Sequence, residues 1–401
     1  MGETYFVGTG RVDITPSLDR PVYLAGFAPD RTATEILHPL EVHALYVRDS
    51  SGGAICLVTI DLIGFLHPSV LRVRARVTHV LDPQRVILCS THTHSGPDTL
   101  GLWGKAFLGI PYRTGVDKGY LAGVEDAVVR SIELAVASAA PAELAAGRFE
   151  VPADLVRNDR KGGGSYPMAF VLGVVRDGQP VSALLNFGAH PEALWEKNRA
   201  VSADYPAPFR NRMADVGIEA LFFQAPLGAM LTPNVPPKSD QAQRRQYIEQ
   251  MGTRLAELTR NALAEAEPLA GPVKLASTPL QVANLNRRFT FAGKVGFIDR
   301  PLEDGVIHTA MAFGCIGGLR FVTVPGEVSP EVGHELYQAC GKGLSMVFTL
   351  GLDELGYIIP AEFFNLKEYA YEKTMSIGPH AASTFVKTAY ALREECERGP
   401  D

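Results

Sequence analysis

Three apolar, strand-like runs in this chain each lead straight into a polar cluster that carries a metal-type ligand, and this recurrence constrains the fold more than any other feature. Residues 85 to 90 run into Thr91-His92-Thr93-His94-Ser95-Gly96-Pro97, residues 181 to 188 into Ala189-His190-Pro191-Glu192, and residues 319 to 324 into Pro325-Gly326-Glu327. Ends of rigid elements and the loops after them are where functional groups are delivered.

The rest of the pattern frames these ends. Apolar runs at 41 to 48 and 54 to 61 are separated by Asp49-Ser50-Ser51-Gly52-Gly53, a hairpin signal. Further hairpins are expected across Asp177-Gly178-Gln179-Pro180 and between 306–314 and 319–324. Helical periodicity covers 68 to 80, 118 to 140, 205 to 216, about 240 to 266 and about 329 to 341, with a short strand at 219 to 224. Consecutive hairpins with interspersed helices predict an α/β fold of layered mixed β-sheets covered by helices. No repeat, low-complexity tract or linker divides the chain, so residues 1 to 401 read as one domain.

Composition excludes some functions. Hydrophobic residues make up 46% and charged residues 20%, enough to fill a large core and too apolar for disorder. The net charge of -6 provides no basic excess for a phosphate backbone, so nucleic acid is not an expected partner. No run of about 18 apolar residues exists, so no transmembrane segment is expected. The amino terminus lacks a signal-peptide pattern, and Phe6 stands at the position a myristoylation signal would give to Ser or Thr. Cys56, Cys89, Cys315, Cys340 and Cys396 are odd in number and show no C-x-x-C spacing, which favours free thiols in a reducing compartment. A cytoplasmic location is the expectation.

Each polar cluster alone has a structural alternative. His92 and His94 in an extended segment would point to the same side, but such a pair can also be two hydrogen-bonded histidines in a turn. A histidine such as His190 is often structural, and a glutamate after Pro-Gly is often solvated. Together, two neutral nitrogens and one carboxylate match a catalytic zinc site with a position left open for water.

The same blocks carry a resemblance. Gly10-Arg11-Val12-Asp13-Ile14-Thr15-Pro16, His38-Pro39-Leu40, Thr59-Ile60-Asp61-Leu62, Thr91 to Pro97, His190-Pro191, Val201-Ser202-Ala203-Asp204-Tyr205, Val324-Pro325-Gly326-Glu327 and Gly356-Tyr357-Ile358-Ile359-Pro360 follow one another in a familiar order. So arranged, the chain resembles the neutral/alkaline non-lysosomal ceramidase family, over nearly its whole length. The resemblance implies that Zn2+ is held by His92, His190, Glu327 and Tyr357. It implies that His94 hydrogen-bonds the substrate or its leaving group, that Tyr371 polarises the scissile carbonyl, and that Arg160, with Arg157 as a competitor, is the active-site arginine. One block departs. Ala225-Pro226-Leu227-Gly228-Ala229-Met230-Leu231-Thr232-Pro233-Asn234 replaces an acidic loop, and Thr232 stands where ceramidases carry a serine proposed to act in amide cleavage. Set against that resemblance, residues 1 to 401 are expected to hold the catalytic domain without the family's carboxy-terminal immunoglobulin-like domain.

These readings predict metal-assisted hydrolysis of an acyl amide or ester, with a small soluble amide, lactone or ester as a substrate alternative to ceramide. That alternative requires a closed, shallow pocket with no apolar rim. His94, an imidazole titrating near neutrality, would protonate the leaving group, and Asp204 would orient His190. Residues 100 to 112 read either as a pocket wall or lid for an apolar substrate or as core or a subunit interface. A non-catalytic metal- or ligand-binding protein on the same scaffold is the competing class.

Overall fold

The computed structural model describes residues 3–302 and 305–398. Met1 and Gly2, on which the lipidation reading bears, lie outside that range. A nine-stranded sheet runs in the order Glu219–Gln224, Gln179–Phe187, Met168–Arg176, Ala140–Glu150, Tyr5–Asp13, Glu41–Arg48, Ala54–Ile60, Val86–Ser90, with Glu267–Pro268 paired to Ala140–Glu150. Its inner pairs are antiparallel. Both outermost pairs are parallel. The sheet curls until its two ends meet: the Thr59 hydroxyl donates to the carbonyl of Phe222 at 2.7 Å. Strand twist of a fixed hand makes such closure natural in a wide sheet.

The helix Lys118–Ala137 lies on this sheet. Leu121, Val124, Val128, Ile132 and Ala135 recur at helical spacing and are buried, each large one worth about 1.5–3 kcal/mol. Its approach is close enough that a side chain at Gly10 would sit 2.0 Å from the Ser131 carbonyl. The helix Gln241–Ala264, begun by an Asp240–Gln243 capping box, packs on the helix Pro206–Ala214 and the same sheet.

A second sheet has the order Val273–Ala283, Val306–Ile316, Leu319–Val324, Ser345–Thr349. The helices Pro330–Cys340 and Ala381–Arg398 cover it, and Leu336, Phe385, Ala389 and Val322 belong to the core between them. The architecture is thus the expected α/β one, mixed sheets with helices. The hairpins and helices read from sequence are present. Tyr5–Asp13, Ala140–Glu150, Val273–Ala283 and Ala381–Arg398 were not foreseen. The cysteines are unpaired, four of them buried and Cys315 half-buried. No described helix is long and apolar enough to cross a membrane.

Candidate active site

The carboxyl ends of Val86–Ser90, at one edge of the large sheet, and of Gln179–Phe187, next to the other edge, supply two histidines of the site. After Ser90 the chain leaves the sheet, Thr91 N–H donating to Ile60 and His92 N–H to Leu62, both at 2.9 Å. His92 itself is left-handed, with φ 68°, a conformation uncommon outside glycine and often found where function demands it. The expected mechanism for pairing His92 with His94 is therefore corrected. They share a side because the backbone turns at His92, not because an extended strand alternates. Their rings meet edge to face, centroids 5.0 Å apart.

His190 follows the strand Gln179–Phe187. Its backbone N–H and its ring Nδ1 both donate to the Leu231 carbonyl, at 2.9 and 2.8 Å. His92 Nδ1 donates to the Ile63 carbonyl at 2.6 Å. Gln224, fully buried, joins the two strand ends: its side-chain nitrogen donates to the carbonyls of Thr91 and Ala189, at 2.7 and 3.0 Å. Sequence reading missed this residue, although a polar residue ending an apolar strand was visible. Glu327 comes from another direction. Glu327–Val328 pairs in parallel with Tyr357–Ile358, so that Glu327 and Tyr357 hold matching register positions. Side chains at matched positions share a face.

These elements converge. Oε2 of Glu327 lies 3.0 Å from His190 Nε2 and 3.3 Å from His92 Nε2. Because each Nδ1 is bonded to a carbonyl, which only accepts, Nε2 of a neutral ring carries a lone pair. Two lone pairs facing one carboxylate oxygen require positive charge between them. Protons can supply it: although burial opposes the change, Glu327, Glu192 and the Leu231 carbonyl raise His190 to about 9. Burial likewise opposes the charge on Glu327, but His92 and His190 hold it well below the usual carboxylate range. A metal ion supplies the same charge, and the donor set fits one. His94 joins the cluster, since His92, His94 and His190 offer nitrogens within 4.8 Å of one another, a buried group that could hold a metal.

His94 has no hydrogen-bond partner on either ring nitrogen among the described residues. Burial first, then His92 and His190, drives it well below its ordinary value. It is held neutral, which corrects the expectation that it titrates near neutrality. Its Nδ1 lies 3.3 Å from Oε2 of Glu192. Gly26 presses on the other side, and a side chain there would meet His94 Cγ at 2.3 Å.

The remaining candidates divide. Tyr357 is buried, its hydroxyl 3.2 Å from Met230 Sδ, and its ring lies 5.9 Å from that of Tyr371. Burial, with Glu327 and Tyr371, pushes its phenol well up. Tyr371 lines the same cleft as His92, His94 and Glu327. Arg160 pairs at 2.5 Å with the fully buried Glu372, beside Tyr371, and does not line the cleft. Arg157 bonds Asp159 and the carbonyls of Pro233 and Val235. Thr232 sits on the short strand Leu231–Pro233 and lines a separate depression with Trp195 and Arg244; burial raises the Glu192 carboxyl, and the nearby Thr232 hydroxyl opposes part of that rise. The structure thus gives Thr232 a place behind Glu192 rather than against the cleft. Asp204 accepts from the backbone N–H groups of Leu194 and Tyr205. It does not orient His190, whose ring is held by Leu231.

The cleft beside the histidines is mainly apolar, with Ile63, Leu66, Leu100, Trp103 and Phe289 in its walls. The hairpin Ala106–Phe107 with Ile110–Pro111 leaves from Trp103. It exposes Phe107, Leu108 and Tyr112 to solvent. Residues 100 to 112 thus divide between pocket wall and exposed apolar projection.

No protein-family model matches the chain. Neutral ceramidase of Pseudomonas aeruginosa is 28% identical over 218 residues, a match that covers 50% of this chain and 32% of the relative. Its crystal structure superposes with a TM-score of 0.80 at 22% identity, covering 98% of this chain and 75% of that one. The chain has the fold of the neutral ceramidase catalytic region. A second solved structure, a ceramidase complexed with C2, agrees in fold with a TM-score of 0.80 at 20% identity, covering 98% and 76%. The chain's sequence match spans about a third of that curated relative's length.

Proposed function

We propose that this chain is a ceramidase-like, zinc-dependent hydrolase that cleaves the amide bond of a lipid-like N-acyl substrate, with the metal held by His92, His190, Glu327 and Tyr357. One observation carries the reading: two imidazoles, each with Nδ1 committed to a backbone carbonyl, aim Nε2 at the same Glu327 oxygen beside an apolar cleft. Zinc held there would supply water activated near neutral pH and Lewis-acid polarisation of the carbonyl.

The chain's own groups do the rest. Desolvation, reinforced by Glu327, Glu192 and Glu372, keeps the Tyr371 phenol protonated, so it donates a hydrogen bond to the developing oxyanion. His94, neutral and adjacent, orients the leaving nitrogen. Arg160 acts through Glu372, fixing the turn that carries Tyr371. Apolar walls and the exposed Phe107, Leu108 and Tyr112 favour an acyl chain over a small soluble amide, lactone or ester. The name ceramidase, carried by the relatives, supports the same substrate class.

The test is elemental analysis of the wild type beside His190→Ala, with N-acyl amides and esters run on both. About one zinc per chain with amide turnover is expected in the wild type, and neither in the variant. Equal metal content in the two proteins sinks the assignment.

A further inference from the structure

One wall of the apolar cleft is polar. Arg300 and Glu354 line it beside Leu302, Ile307 and Leu355. Arg300 pairs through Nη2 with Oδ1 of Asp353, a fully buried carboxylate. The same oxygen accepts the backbone N–H of Glu354 at 2.8 Å, which fixes the two cleft residues as neighbours. Nε and Nη1 of Arg300 have no acceptor among the described residues. Glu354 commits Oε1 to the N–H of Gly356 at 2.7 Å, whereas Oε2 is buried without a partner. Both residues are only 8% exposed, and both line the cleft.

The buried, unpartnered Oε2 of Glu354 costs about 1–3 kcal/mol, and such an atom calls for a specific explanation. The metal-binding residues give none, because neither Arg300 nor Glu354 hydrogen-bonds them. We infer that Arg300 and Glu354 form a subsite for a hydroxyl group carried on the apolar arm of the substrate. The inference rests on the hydrolase reading for the word substrate, but not for the binding. An arginine N–H donates and a carboxyl oxygen accepts, and a hydroxyl answers both with one atom. A plain methylene leaves both unpaired. A carboxylate satisfies Arg300 but faces the Glu354 oxygen.

The experiment measures binding, so it does not depend on turnover. The chain has two tryptophans, and Trp103 lines the cleft. In a metal-loaded Trp195→Phe protein, Trp103 fluorescence is titrated with decanamide, with decanamides hydroxylated singly at successive carbons, and with the carboxylate-terminated analogue. At least one hydroxylated isomer is expected to bind roughly tenfold more tightly than decanamide, the worth of a hydrogen bond to a charged group. Arg300→Lys, which keeps a cation beside Asp353, and Glu354→Leu should each erase that preference while decanamide still binds. Four outcomes overturn the subsite: decanamide equal to every isomer, the carboxylate analogue tightest of all, a preference that survives both variants, or no response to any probe. Failure of the hydrolase reading shows differently, as hydroxyl-selective binding without amide cleavage.

Discussion

Gln224 donates its side-chain amide to the carbonyl of Thr91, the peptide that leads into His92, and the same nitrogen reaches the carbonyl leading into His190. Two strand ends far apart in sequence are thereby pinned at one point. Gln224→Leu keeps the volume and removes the pin. It leaves the Thr91 carbonyl without this donor, at a cost of about 1–3 kcal/mol. Ala189 retains the Tyr205 hydroxyl at 2.6 Å. Groups behind a metal site typically tune affinity 10- to 100-fold. Chelator competition should show zinc held about tenfold or more weakly by the variant, with the fold intact by circular dichroism. Unchanged affinity would mean that the Nδ1 bonds alone fix the rings.

The strand ends that carry His92, His190 and Glu327 were legible because each followed an apolar run and each changed abruptly to polar residues. Tyr357 was not legible from residue chemistry, since it gains its place through parallel pairing with Glu327, a contact between distant segments. Gln224 escaped for the same reason. Ala140–Glu150 went unread because its alanines and glutamates favour helix, and only its neighbours Tyr5–Asp13 and Met168–Arg176 make it a strand. The φ of His92 and the backbone anchoring of Asp204 depend on loops whose course no periodicity records.

His94 is the point on which two descriptions of the metal site divide. Three imidazoles lie close enough to share an ion, yet only His92 and His190 aim Nε2 at Glu327. If His94 orients the substrate, His94→Ala should keep its zinc and lose activity by about 10²-fold, the usual worth of correct positioning at the reacting centre. Elemental analysis beside steady-state turnover reads both. Zinc lost from His94→Ala as fully as from His190→Ala would make the three histidines the ligand set and release Glu327 to act as a base.

Asp204 gives the fold a pH dependence of its own. Burial, only partly offset by the N–H groups of Leu194 and Tyr205, raises its carboxyl to about 7. In the unfolded chain it titrates near 4, about 3.9. Between these values the folded state binds more protons than the unfolded state, so stability falls as pH rises from about 4 to about 7. Asp204→Asn removes that slope and suits the left-handed backbone, φ 61°. Melting temperatures across this range should decline more steeply for wild type than for the variant. Parallel curves would show that Asp204 is ionised throughout.

Gly26 offers a way to move His94 without altering its chemistry. Its φ is 97°, where side chains are strained, and a Cβ would stand 2.3 Å from His94 Cγ and 2.5 Å from Nδ1. Gly26→Ala should therefore displace the imidazole, lowering turnover toward the level of His94→Ala while zinc stays bound. It should also cost about 1–2 kcal/mol of stability from the backbone conformation alone. The double variant separates the two effects. With the ring absent the clash disappears, so Gly26→Ala on a His94→Ala background should cost only the backbone share and leave residual turnover unchanged. Contacting residues are expected to be non-additive in this way. Additive losses in the double-variant cycle would show that Gly26 acts on the site by a route other than His94.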